Sequence, residues 1–155
     1  MVPPSEQDDL RSGQVTSERR LAFALPAEPV AAALTRTRLG EWLSAQDWPL
    51  AQADDVVLAV SEAVSNGVEH GYGVRPGVAA RAGVVEVDAQ VVACGDGMRR
   101  LEITVHDHGG WQVQAHTHAH RRHGIPIMKA CVAEFAIDGT ASGTTVVLRS
   151  RPVPA

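Results

Sequence analysis

Aromatic side chains are scarce in this chain: three tryptophans, two phenylalanines and one tyrosine make up 4% of its 155 residues. Its core must therefore be mostly Val, Ala, Leu and Ile. Lysine occurs once against thirteen arginines, which reads as coding bias in a GC-rich genome. Cysteine occurs twice, at Cys94 and Cys131. Two distant cysteines are no disulfide framework and fit a reducing cytosol. No apolar run approaches the roughly 18 residues of a membrane span. The N-terminus lacks the basic start and apolar stretch of a signal peptide. Excess positive charge is missing too. The net charge of −4 and pI near 5.9 argue against the basic face of a nucleic-acid binder. These absences predict a soluble, cytoplasmic protein that holds neither membrane nor nucleic acid.

What is present is ordinary in bulk. Hydrophobic residues at 45% and charged residues at 21% are close to globular averages. The length suits one domain burying about 70% of its unfolded surface. Residues 1–19 are polar and aperiodic and read as a mobile tail. Residues 152–155, with Pro152 and Pro154, read as a second tail, leaving residues 20–151 as the domain.

Arg20 to Leu25 reads as a strand stopped by Pro26. A helix is predicted from Pro29 to about Gln46, with Leu34, Leu39, Trp42 and Leu43 buried. Trp48-Pro49 breaks the chain. A second helix, from about Ala51 to His70, carries Val57, Val60, Val64 and Val68 on one stripe, and Gly71, Gly73, Pro76 and Gly77 end it. Val85, Val87, Ala89 and Val91 alternate with polar residues, as do Leu101, Ile103 and Val105, around the turn Cys94-Gly95-Asp96-Gly97. That pattern is a half-buried antiparallel hairpin. A short helix from Gly124 to Ala133 and strands near Glu134–Asp138 and Thr144–Arg149 complete an α+β two-layer sandwich. Its sheet is expected to be mixed, mostly antiparallel, with helices on one face.

Three places carry chemistry. Glu62 and Asn66 stand four apart on the second helix and share a face. A solvated polar face would do the same, yet asparagine gains little in a helix unless its amide finds a partner. The helix runs into His70-Gly71-Tyr72-Gly73, a loop that lets backbone approach a ligand. Asp107 falls in phase with Leu101, Ile103 and Val105, so alternation aims its carboxylate inward, where it needs a donor. It either caps the turn Asp107-His108-Gly109-Gly110 or accepts from an amino group of a buried planar ligand, with Gly109 and Gly110 leaving room. Gly124 opens the predicted short helix beside Arg121 and Arg122. It is either a simple cap or an anion site of exposed backbone N–H groups.

The order of these features, ending in Gly143-Thr144-Thr145, resembles the GHKL ATPase superfamily. Val60-Ser61-Glu62-Ala63-Val64-Ser65-Asn66, His70-Gly71-Tyr72 and His123-Gly124-Ile125-Pro126-Ile127-Met128 are similar to anti-sigma factor serine kinases of the RsbW type, over roughly residues 20 to 150. The resemblance implies a protein serine/threonine kinase that uses ATP and Mg²⁺. Asn66 would be the Mg²⁺ ligand and Glu62 the general base. The ATP site would comprise Asn66, His70, Asp107, Gly109, Arg122, Gly124, Ile125 and Thr144. Asp107 would bond the adenine amino group with Thr144 in support, and Trp111 to His123 would form a lid over the phosphates. The implied partner is an anti-anti-sigma (STAS-type) protein or a sigma factor, and a homodimer is implied as well. Trp111 and Arg122 stand where the family's glycine boxes have glycine, which weakens fast turnover more than binding. Two other readings follow: a non-catalytic nucleotide switch, and the catalytic module of a sensor histidine kinase. No long phosphoacceptor helix precedes the domain, which disfavours the latter.

His116, His118, His120 and His123 crowd into eight residues, with His106 and His108 upstream. An extended chain would point the first three to one side, toward Zn²⁺ or Cu²⁺. No cysteine or carboxylate lies in the run to complete a site, so it reads as an exposed lid.

Overall fold

The computed structural model describes residues 15–17, 19–71, 83–108, 118–140 and 142–155, with backbone alone at 15–16, 70–71 and 118–124. Period-two alternation builds its sheet. In β2 (Arg20–Pro26), Leu21, Phe23 and Leu25 are buried; in β3 (Val84–Ala93), Val85, Val87 and Ala89. In β4 (Met98–Asp107), Leu101, Ile103, Val105 and Asp107 follow, and in β6 (Gly143–Arg149), Thr144, Val146 and Leu148. With β1 (Val15–Thr16), β5 (Glu134–Thr140) and β7 (Val153–Pro154), the described residues form a seven-stranded sheet in the order β1-β2-β3-β4-β6-β5, with β7 paired to β4. Every described pairing is antiparallel, so the parallel component of the expected mixed sheet is absent among the described residues.

The β3–β4 hairpin closes at Asp96 and Gly97, with φ of 53° and 71°, and Met98 N–H donates to Gly95 O at 2.9 Å. Positive φ at both central residues makes a turn that matches strand twist, with Asp-Gly a favoured pair, and Gly95, at φ 85°, is the extra residue of a three-residue loop between Cys94 and Met98.

Helix α1 (Ala31–Ala45) buries Leu39, Trp42 and Leu43 as expected, but Leu34 is 39% exposed. Thr35 and Leu39, four apart and both buried, set the inner stripe one position away from Leu34. The helix stops in a Schellman arrangement: Asp47 takes φ 52°, its N–H reaches Ser44 O, and Trp48 N–H reaches Leu43 O. Trp48 then packs into the core. Helix α2 (Leu50–Asn66) buries Ala53, Val56, Ala59, Val60, Ala63 and Val64, and a π-helical turn, Gly67–Gly71, extends it. Helix α3 (His118–Cys131) packs on α2 and buries Met128. All three helices lie on the face that carries the buried strand residues; the other face is polar. No helix of the described residues is long and apolar enough to cross a membrane.

Both predicted tails are corrected where they are described. Val15–Thr16 pairs with Leu21 and Ala22, and Ser17 O accepts the Trp42 indole N–H at 3.3 Å. Val153 and Pro154 pair with Arg99 and Met98, Val153 is 8% exposed, and Ala155 N–H donates to Gly97 O. Prolines at 152 and 154 read as breakers, but proline is tolerated at a sheet edge where no ladder donor is needed. The expected helix end at Gly73, Pro76 and Gly77 lies outside the described residues.

Candidate functional site

Two strands and a helix end meet at one end of the sheet, on its helix-covered face. β4 delivers Asp107, which register places between Val85 on β3 and Thr144 on β6. Asp107 and Thr144 are each only 5% exposed, so the carboxylate does point inward, as its phase with Leu101 requires. Across from it stands the end of α2. Gly67 is the point of closest approach: a Cβ there would stand 3.4 Å from Asp107 Oδ2 and 3.5 Å from Val85 Cγ2. A longer side chain would cover the carboxylate. Gly143 makes the second close approach. Its φ is +152°, and a Cβ would run into the Asp107 backbone carbonyl. β6 can lie against the end of β4 only because position 143 carries no side chain.

Glu62 and Asn66 sit one turn apart at the C-terminal end of α2, and both are half-buried rather than fully solvated. Asn66 is the last α-helical residue; the π turn follows directly and lies against β4 and β6. Single π turns within helices are found frequently at functional sites. A carboxylate and a carboxamide on this helix end can hold a hydrated divalent ion and accept a proton. A buried carboxylate beside a threonine hydroxyl can read an amino group.

The remaining site residues divide. His70 lies in the π turn, and its side chain is outside the described residues. Gly109, Gly110 and Trp111, with the lid through residue 117, are also outside them. Arg122 and Gly124 lie in α3, and Ile125 is half-buried against the core. One expectation is corrected here. The helix does not start at Gly124; it starts at His118, so Gly124 is an interior position and its turn has no free N–H groups to offer an anion. Gly124 reads as a start signal, but Ala119, Arg121 and Arg122 are good helix formers and carry the helix further back. The same helix corrects the one-sided histidine array, because positions 118 and 120 do not share a helix face; His116 lies outside the described residues.

Gly67 and its π turn were missed by sequence reasoning; a glycine directly after a helical asparagine was the available signal. Three groups away from these residues have shifted pKa values. The hydrogen bond and charge of Asp88 hold the Arg20 guanidinium above its usual range. Hydrogen bonds to Glu134 and Glu102 do the same for Arg149. Burial, with the charge of Asp55, pushes the Cys131 thiol up.

A family model described as the histidine kinase-like ATPase domain matches residues 25–150. Among solved structures, the RsbU and RsbW domains of Rv1364c from Mycobacterium tuberculosis are similar to this chain. The identity is 32%, the TM-score is 0.60 and 88% of this chain is covered. This chain spans 33% of that one, about a third of its length. The histidine kinase domain of the blue-light-activated histidine kinase EL346 from Erythrobacter litoralis matches at 23% identity with a TM-score of 0.49, covering 75% of this chain and 60% of that one. With most of its residues matched and the two-layer antiparallel architecture in place, this chain belongs to the histidine kinase-like ATPase domain family and has the GHKL ATPase fold.

Proposed function

We propose that the domain binds Mg-ATP between the end of α2 and the ends of β4 and β6. In this reading it acts as an anti-sigma factor and phosphorylates a serine or threonine on an anti-anti-sigma, STAS-type partner. The observation that carries the nucleotide reading is the buried Asp107 carboxylate, set beside Thr144 and approached closely by the backbone of Gly67. The cradle fits the group: a small residue faces the carboxylate where a planar base would lie. Asp107 accepts from the exocyclic amine, and Thr144 supports it.

Glu62 and Asn66 are one helical turn apart, about 6 Å along the axis. Asn66 can thus hold the ion that bridges the phosphates while Glu62 takes the proton of the attacking hydroxyl. The likeness to a chain that contains an RsbW domain supports the choice of a protein hydroxyl as acceptor.

The test reads binding and transfer side by side. Asn66→Ala should lower Mg-ATP affinity tenfold or more, about 1.4 kcal/mol, by calorimetry. Glu62→Gln should keep ATP and partner binding but slow radiolabel transfer to a captured partner by roughly 10²-fold or more. If wild type transfers no label to any partner captured with Mg-ATP, the domain is a nucleotide-dependent binding switch. Trp111 and Arg122 in the glycine-box positions favour that second reading.

A further inference from the structure

The polar face of the sheet, opposite the helices, carries a second cluster. Glu86, His106 and His108 bring one ligand atom each to within 4.8 Å of one another, the one such group found among the described residues. Register places Glu86 directly opposite His106, and two-residue alternation returns His108 to the same face. Asp107 lies between the two histidines and points the other way. The His106 ring is anchored: its Nδ1 is 2.8 Å from Thr145 Oγ1, on the residue directly across in β6. His108 Nε2 is 3.1 Å from Glu86 Oε2, and the two imidazoles stand edge to face at 86° with centroids 4.4 Å apart.

We infer that Glu86, His106 and His108 form a binding site for a zinc-class divalent transition-metal ion on the outer face of the sheet. Two imidazole nitrogens and one carboxylate oxygen are a borderline donor set that suits Zn²⁺; Mg²⁺ and Ca²⁺ prefer all-oxygen surroundings. In the tautomer that donates His106 Nδ1–H to Thr145 Oγ1, the lone pair is on Nε2, available to the ion. A ligating histidine characteristically gives its other N–H to such a neighbour, which fixes its tautomer and orientation. At His108 the ion would take the place of the proton now shared between Nε2 and Glu86.

Bonds of about 2.0–2.1 Å at tetrahedral angles set ligand atoms about 3.3 Å apart. The cluster must therefore contract slightly. Glu86 and His108, with side chains 50% and 53% exposed, have the freedom to do so. Asp88 does not compete, being held by Arg20 in a two-pronged pair at 2.7 and 3.1 Å. The open concavity beside Glu86 and His106, bordered by Arg20, Ala24, Asp88 and Thr104, leaves a fourth position to water. An ion there would pin the ends of β3 and β4 together.

The experiment uses the tag-free full chain, titrated with Zn²⁺ by calorimetry and with Co²⁺ by visible absorption. One ion should bind, and the melting temperature should rise with it. Glu86→Gln and His108→Gln, at exposed positions that spare the fold, should each lower Zn²⁺ affinity tenfold or more and weaken the four-coordinate Co²⁺ band. Thr145→Val leaves all three ligands in place and should cost about tenfold, as loss of an orienting partner does. Replacing His116, His118, His120 and His123 together with glutamine should leave affinity and band unchanged. The site is overturned if zinc affinity follows that fourfold variant and is indifferent to Glu86→Gln and His108→Gln. It is equally overturned if the wild type binds no zinc. Neither result bears on ATP binding, which rests on other residues.

Discussion

At Asp107 a single carboxylate sits 5% exposed, at the end of a strand, on a face otherwise made of Leu101, Ile103 and Val105. Such a group costs several kcal/mol unless a donor meets it. A cap of the following turn and a ligand amine would each serve. The two are separable by base specificity, since guanine presents a carbonyl where adenine presents an amine. Wild type should bind ATP at least tenfold more tightly than GTP, about 1.4 kcal/mol, and Asp107→Asn should erode that ratio by adding a donor. Competition calorimetry measures both. Equal affinity of the wild type for the two nucleotides would falsify the adenine role and leave the turn cap.

At the scale of the element, the end of α2 matters most. Regular helix stops at Asn66, a π turn takes over at Gly67, and the helix end thereby comes down onto β4. Gly67 has φ −60° and ψ −41°, an ordinary helical conformation. Its absent side chain, rather than backbone freedom, is therefore what the site uses. Alanine there would be a better helix former by about 0.5–1 kcal/mol, and its methyl would meet Asp107 Oδ2 at ordinary contact distance. Gly67→Ala should thus hold or raise the melting temperature while weakening ATP binding severalfold. Unchanged ATP affinity in this variant would mean that the ligand does not use the space beside the carboxylate.

Across the whole molecule, the short strands β1 and β7 extend the sheet. Val153 fills a core position beside β4, Ser150 Oγ accepts Leu101 N–H at 2.9 Å, and the Arg99 guanidinium stacks over the Trp48 ring at 4.5 Å. Deleting residues 153–155 should cost about 1–3 kcal/mol, the range for losing one buried aliphatic side chain with its edge pairing. For a chain of this size that is a fall of several degrees in melting temperature, readable by calorimetry. No change in melting temperature would show that these residues contribute no packing. Residues 62, 66 and 107 are distant from this edge, so ATP affinity at 20–25 °C should stay as in wild type.

Alternation and spacing made much of this legible from the sequence alone. The β3–β4 hairpin, the inward Asp107, the Thr144 face and the Glu62–Asn66 pair all follow from local periodicity, which a strand or helix imposes on its own residues. Three things do not follow from it. Where α3 begins depends on how far good helix formers extend the helix back past Gly124, which reads as a boundary signal. Whether a proline-flanked end such as Val153 is a tail or a strand depends on an edge of β4 far away in sequence. And the nearness of Gly67 and Gly143 to Asp107 is set by helix and strands separated by tens of residues, since only packing determines which backbones touch.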